Sequence, residues 1–228
     1  MISAIIVAAG QGTRMGPATD KLFLEVAGRP VIAHTWQRFN SAACIDEIIL
    51  VVRQGVQEMF ADLAAPFQFK KTFRIVAGGK ERQDSVWNGL EALSTASELV
   101  AIQDGARPCT SVKLIEATLE AARATGAAVA AQRITDTIKE SENTKTIARH
   151  LDRARLWAVQ TPQSFRVEVI RRALRLVRER GLLVTDDTAA CELVGQPVQL
   201  VESIEPNPKV TVPADLNYIE MLLRKEGA

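Results

Sequence analysis

Along the chain, short apolar runs alternate with stretches whose apolar positions recur at helical spacing. Ile2–Ala8, Glu47–Val52, Phe73–Val76, Leu99–Gln103 and Ala127–Ala131 are mostly apolar, and several are rich in β-branched residues. Runs of this kind are expected of parallel strands buried on both faces. Between them, Val31–Phe39 opens after Pro30, and Asp84–Leu93 places Val86, Leu90 and Leu93 at i, i+4 and i+7. Val112–Ala124 repeats that spacing with Ile115, Leu119 and Ala122. These segments predict helices. Repeated β–α alternation implies right-handed crossovers and helices on both sides of the sheet. Ligands of such sheets bind beyond the carboxyl ends of the strands, so the loops after the first and fourth strands are the places to look for chemistry.

The alternation breaks between Arg133 and Leu156. This stretch has a polar middle around Glu140–Lys145 with short β-like pieces on either side. Spacing alone leaves two readings open, a hairpin arm projecting from the sheet or a long surface loop. Regular structure resumes with helices predicted over Val167–Arg180 and Pro213–Lys225. With no internal repeat and no low-complexity linker, residues 1–228 read as one α/β domain. The predicted fold is a Rossmann-like three-layer sandwich with a mostly parallel central sheet and an arm at about 133–156.

Composition narrows the partners. The 28 Lys plus Arg nearly cancel the 27 Asp plus Glu, leaving a net charge of +1. That argues against a nucleic-acid partner, whose binders usually carry a basic excess, while leaving room for a small anion. Cys44, Cys109 and Cys191 are widely spaced, and His34 and His150 are far apart, so neither a disulfide framework nor a zinc site is indicated. The opening MISAIIVAAG lacks a basic n-region and is too short to span a bilayer. It reads as a buried strand. No later stretch suggests a membrane span, and a cytoplasmic location is expected.

The first strand runs into Ala8-Ala9-Gly10-Gln11-Gly12-Thr13-Arg14-Met15-Gly16. Small residues there let backbone N–H groups approach a polyphosphate closely. A dinucleotide fingerprint would need its third glycine where Met15 stands, and no G-x-x-x-x-G-K-[ST] occurs. Instead the loop carries cations, with Arg14 inside it and Lys21 seven residues later. Such groups can stabilise the charge that develops on a phosphoryl centre. Gly78-Gly79-Lys80-Glu81-Arg82-Gln83-Asp84-Ser85 precedes a helix and could present N–H groups and a hydroxyl to a base or ribose. A glycine turn with Asp84 or Ser85 near an N-cap is the alternative. Asp104-Gly105-Ala106-Arg107-Pro108 ends the fourth strand, and a lone carboxylate there suits a Mg²⁺ ligand completed by phosphates and water.

Taken together, AAGxGTRM, KLFLEVAGRPVIAHT and DGARP resemble the 2-C-methyl-D-erythritol 4-phosphate cytidylyltransferases, nucleotidyltransferases of the non-mevalonate isoprenoid pathway. Asp136-Thr137, Asp152-Arg153, Thr161-Pro162-Gln163 and Lys209-Val210-Thr211 follow in the expected order, so the similarity covers nearly the whole chain. It implies transfer of CMP from CTP to the methylerythritol phosphate, with pyrophosphate released. Arg14, Lys21 and Lys209 would be catalytic, and Asp104 would hold Mg²⁺. Ala8, Ala9, Gly10, Gly12, Gly79, Lys80, Ser85 and Gly105 would bind the nucleotide. Arg82 would support the turn that carries Gly79, Lys80 and Ser85, and Arg107, Thr137, Arg153 and Thr161 would bind the acceptor. The resemblance also implies a homodimer whose arms interlock, so that Thr137 and Arg153 serve the partner's site. A ribitol 5-phosphate cytidylyltransferase would share these loops. One departure concerns Asp20, where such proteins usually carry Pro; altered loop stiffness is expected there.

Two further features read as structural. Arg171, Arg172, Arg175 and Arg178 fall on one face of the helix from Val167 and are expected to be solvated. Asp186 and Asp187 are expected to serve a helix N-terminus.

Overall fold

The computed structural model describes residues 1–10, 20–67 and 69–226. Its main sheet has seven strands, β1 (Ile2–Ala8), β2 (Glu47–Val52), β3 (Thr72–Ala77), β4 (Leu99–Asp104), β5 (Ala127–Arg133), β6 (Trp157–Arg166) and β7 (Gln199–Glu202), in the order β7-β5-β6-β4-β1-β2-β3. β6 runs antiparallel to both of its neighbours, and the remaining pairs are parallel. The helices are α1 (Val31–Ser41), α2 (Gln57–Ala64), α3 (Arg82–Glu91), α4 (Val112–Thr125), α5 (Val167–Glu179), α6 (Asp187–Leu193) and α7 (Asp215–Glu226). This is the expected Rossmann-like, mostly parallel α/β sandwich.

The apolar runs become strands because both faces of the sheet are covered. In β2, Ile48, Leu50 and Val52 pack into one layer with Trp36 and Phe39 of α1 and Ile115 of α4. Ile49 and Val51 point the other way, into a layer with Leu90 of α3 and Ile170 and Leu174 of α5. The period-2 alternation of side chains thus serves two cores at once. From β1 the chain moves outward through β2 to β3, then returns to β4 on the opposite side of β1. Successive connections therefore diverge at the carboxyl ends of β1 and β4, which leaves a crevice there.

Of the two readings of the arm, the hairpin is found: Lys139 pairs with His150 and Glu140 with Arg149, antiparallel and exposed. Sequence patterning passed over β6, whose Gln160, Thr161, Gln163 and Ser164 are polar yet buried. It also passed over α2 and the largely exposed edge strand β7. The helix expected from Asp84 starts at Arg82, and the N–H of Glu81 before it donates to Asp84 Oδ2 at 3.1 Å. Asp84 therefore supports the helix start from within the first turn and is not the cap itself. The basic face of α5 is only partly solvated. Arg171 pairs with Glu91 at 2.6 Å, and the Arg178 guanidinium lies 4.7 Å from the Trp87 ring centre, both tying α5 to α3.

Candidate active site

A cavity of about 190 Å³ opens where β1 and β4 end. Ala8, Ala9 and Gly10 form one wall, and Gly79, Lys80 and Ser85 form another. Asp104 and Gly105 line the floor, and Lys21 and Lys209 also face the cavity. Every residue expected to bind the nucleotide or its metal is here except Gly12, which with the expected catalytic Arg14 lies outside the described residues. At Gly79 on the wall and Gly105 on the floor, space rather than backbone angle favours glycine. A Cβ on Gly79 would stand 2.3 Å from Asp84 Cβ, and one on Gly105 would stand 2.9 Å from Ile32 Cδ1. The backbone there can consequently approach a ligand closely.

Asp104 organises the charges. Its Oδ2 is 2.9 Å from Lys209 Nζ and 3.3 Å from Arg107 Nε, and its Oδ1 is 3.8 Å from Arg82 Nε. Burial alone would raise the Asp104 carboxyl, but Lys209, Arg82 and Arg107 overcome it and hold the group at about 2. Its N–H donates to Thr161 Oγ1 at 3.0 Å. Lys21 Nζ donates to the Val210 carbonyl at 2.8 Å, and Val210 N–H donates to the Ala106 carbonyl at 2.8 Å. The segment carrying Lys209 is thereby stitched both to Lys21 and to the loop after β4.

None of the four residues expected at the acceptor is among those lining this cavity. Arg107 is buried behind the cavity wall, where its Nη1 donates to the Asn207 carbonyl at 2.6 Å. Thr161 is buried beneath the site, its oxygen taken by Asp104 N–H. Thr137 and Arg153 are exposed on the arm, away from the cavity. Within one chain these two therefore do not join Lys21 and Lys209.

Three further contributors carried weak or misleading signals in the sequence. Arg82 does more than support a turn: its Nη1 lies 2.8 Å from Asp187 Oδ2 while its Nε faces Asp104. Asp187, read as a helix-terminus residue, is fully buried beneath it, and burial pushes its carboxyl up against the pull of Arg82. Asp186 alone is the cap, accepting from Ala189 N–H at 2.9 Å. Asn207 donates to the Thr161 carbonyl and to Gln160 Oε1 and accepts from Thr110, joining β6 to the loop after β4. An Asn between two prolines in a polar loop gives no hint of such a place.

A profile of the 2-C-methyl-D-erythritol 4-phosphate cytidylyltransferases matches residues 2–225. The chain belongs to this cytidylyltransferase family. It is 41% identical over 225 residues to the 2-C-methyl-D-erythritol 4-phosphate cytidylyltransferase of Geobacillus kaustophilus, covering 99% of this chain and 98% of that one. Two solved structures are similar throughout. The 4-diphosphocytidyl-2C-methyl-D-erythritol synthase of Anaerococcus prevotii matches with a TM-score of 0.87 at 32% identity, covering 98% of this chain and 96% of that chain. The cytidylyltransferase of Thermus thermophilus gives 0.80 at 33% identity, covering 98% and 100%. Membership of the cytidylyltransferase family accounts for the absence of a Rossmann dinucleotide fingerprint on a sheet of Rossmann-like form.

Proposed function

We propose that this protein transfers CMP from CTP to 2-C-methyl-D-erythritol 4-phosphate, giving 4-CDP-2-C-methyl-D-erythritol and pyrophosphate for isoprenoid precursor synthesis. The observation that carries the reading is the convergence of Lys21 and Lys209 beside Asp104 on one glycine-walled cavity, in a chain of this family. A phosphate oxygen of the acceptor forms the new bond to the α-phosphorus as the bond to the pyrophosphate oxygen breaks. The nucleophile is already anionic, so no proton need be removed from it. Catalysis then rests on positioning and on neutralising charge as it builds on the phosphoryl oxygens. Lys21 and Lys209 are the groups for that task, with Arg14 as a further phosphate ligand. The close-packed turns at Gly79 and Gly105 bring backbone to the nucleotide, with Lys80 and Ser85 beside it.

A divalent cation, assigned as Mg²⁺, fits on restricted terms. Among the described residues no group of three or more His, Cys, Asp or Glu could hold a metal. Asp104 does offer a carboxylate kept ionised at the cavity floor, which suits a cation that takes its other ligands from phosphates and water. Lys209 and Arg107 already occupy Oδ2, so a bound cation would compete with Lys209 there. When bound, such a cation would draw charge from the phosphates.

The same reading makes the protein a homodimer through the arm, with Thr137 and Arg153 offered to the partner's acceptor site. The exposure of both residues and of the hairpin around them supports this. No helix among the described residues is long and apolar enough to cross a membrane. Cys44, Cys109 and Cys191 form no disulfide, as suits a reducing cytoplasm. Pyrophosphate release tests the reaction: it should require both CTP and 2-C-methyl-D-erythritol 4-phosphate. Equal release with ribitol 5-phosphate would overturn the acceptor assignment.

A further inference from the structure

Asp20 stands immediately before Lys21, and it is held from outside its own loop. Arg53, the first residue after β2, places Nη2 at 2.6 Å from Asp20 Oδ2. The same guanidinium donates from Nη1 to the Gly10 carbonyl at 3.4 Å, a long bond at the edge of useful range. One side chain thus touches the residue where the chain leaves β1 for the glycine-rich loop and the residue just before Lys21. Asp20 passes this restraint on. Its Oδ1 accepts from Leu22 N–H at 3.1 Å and its carbonyl accepts from Phe23 N–H at 3.0 Å, so the turn bearing Lys21 is built around it. Both partners are largely withdrawn from water, with Arg53 27% and Asp20 20% exposed. The pair is therefore less screened than a surface pair, though not immune to salt. Arg53 also borders a cavity of about 700 Å³ that shares Ala9, Gly10, Gly79 and Lys80 with the active-site cavity. That leaves two possible roles for it, restraint through Asp20 or direct contact with the nucleotide.

We propose that Arg53 is a positioning residue, acting through Asp20 to fix the backbone that delivers Lys21 to the phosphates and holding Gly10 beside it. The geometry favours this role because the short, charged contact goes to Asp20. An ion pair would then supply the restraint at position 20 that a rigid ring would otherwise give. The inference rests on the reading of Lys21 as a phosphate ligand.

A double-mutant cycle on CTP affinity, measured by calorimetry, tests it without an acceptor or turnover. Asp20→Ala and Arg53→Ala should each raise Kd for CTP by about fivefold at low salt, and the double variant should lose no more than either single. The gap between wild type and Asp20→Ala should narrow as ionic strength rises, and Arg53→Lys should recover part of the loss. Melting temperatures close to wild type should accompany these effects. Additive losses would overturn the proposal in favour of direct contact between Arg53 and CTP, and unchanged affinity in all variants would overturn it outright. A wild type that binds CTP without turning over would instead overturn the proposed reaction alone; one that does not bind CTP would overturn both.

Discussion

The cavity and the arm carry charge in opposite ways. At the cavity, Lys209, Arg107 and Arg82 converge from three separate stretches of chain on one buried carboxylate, Asp104. On the arm, Arg149 pairs with Glu140 across its own exposed hairpin, and Arg153 donates to the carbonyl of Thr135. Charges at the cavity meet on a buried carboxylate and are partly withdrawn from water, whereas those on the arm are local and solvated. A centre that must neutralise phosphates without reorganising benefits from the first arrangement. On the proposed dimer reading, the second suits the arm, since its remaining partners would come with association.

This contrast can be broken at several points, beginning with the most buried. Asp187→Ala would remove the fully buried carboxylate nearest to the Arg82 guanidinium, itself 28% exposed, which should destabilise the fold by about 3 kcal/mol in urea unfolding. A loss below about 1 kcal/mol would mean that Arg82 finds solvent or Asp104 instead. Next, Lys21→Ala should lower kcat by roughly 10²-fold in steady-state pyrophosphate assays, as for other lost transition-state donors. Near-normal kcat would remove Lys21 from the mechanism.

The acid limb gives a smaller effect of defined sign. A carboxyl held at about 2 in the fold stabilises it at pH values above the ordinary carboxylate range. That contribution fades as pH falls from about 4 toward 2, and it amounts to about 2 kcal/mol. The stability gap between wild type and Asp104→Asn should therefore be full at neutral pH and shrink across that window. A gap independent of pH would show that the carboxylate charge is not what the cations stabilise. Least of all, Arg153→Ala should change the unfolding free energy of the chain by no more than an ordinary surface substitution, about 0.5 kcal/mol in urea unfolding. A large drop would mean that the arm is structural and does not await a partner.

Much of the frame was legible in the residues because it depends on local periodicity. Ile2–Ala8 and Glu47–Val52 are strands with the same ends that their apolar runs suggested. Helix ends at α1, α4 and α5 differ by no more than two residues from the periodic segments. The cavity wall was legible too, since small residues after a strand restrict what can sit there. β6 was not legible, because its buried polar residues are satisfied by partners distant in sequence. Gln163 donates to Asp186 and accepts from Asp187 N–H, and Ser164 donates to Thr118. Nothing near those residues in the chain announces such partners.

The layered α/β frame, the loops that meet at its carboxyl edge and the family likeness can all be read from the residues in order. Those follow from spacing, which is a property of neighbours along the chain. It takes the folded chain to bury Arg107 and Thr161 away from the cavity lining, to set Asp187 under Arg82 and to bring Arg53 to Asp20. Each of these is a pairing of charges or polar groups across long sequence separations. Its energy depends on burial and mutual distance, and both exist only once the layers have closed.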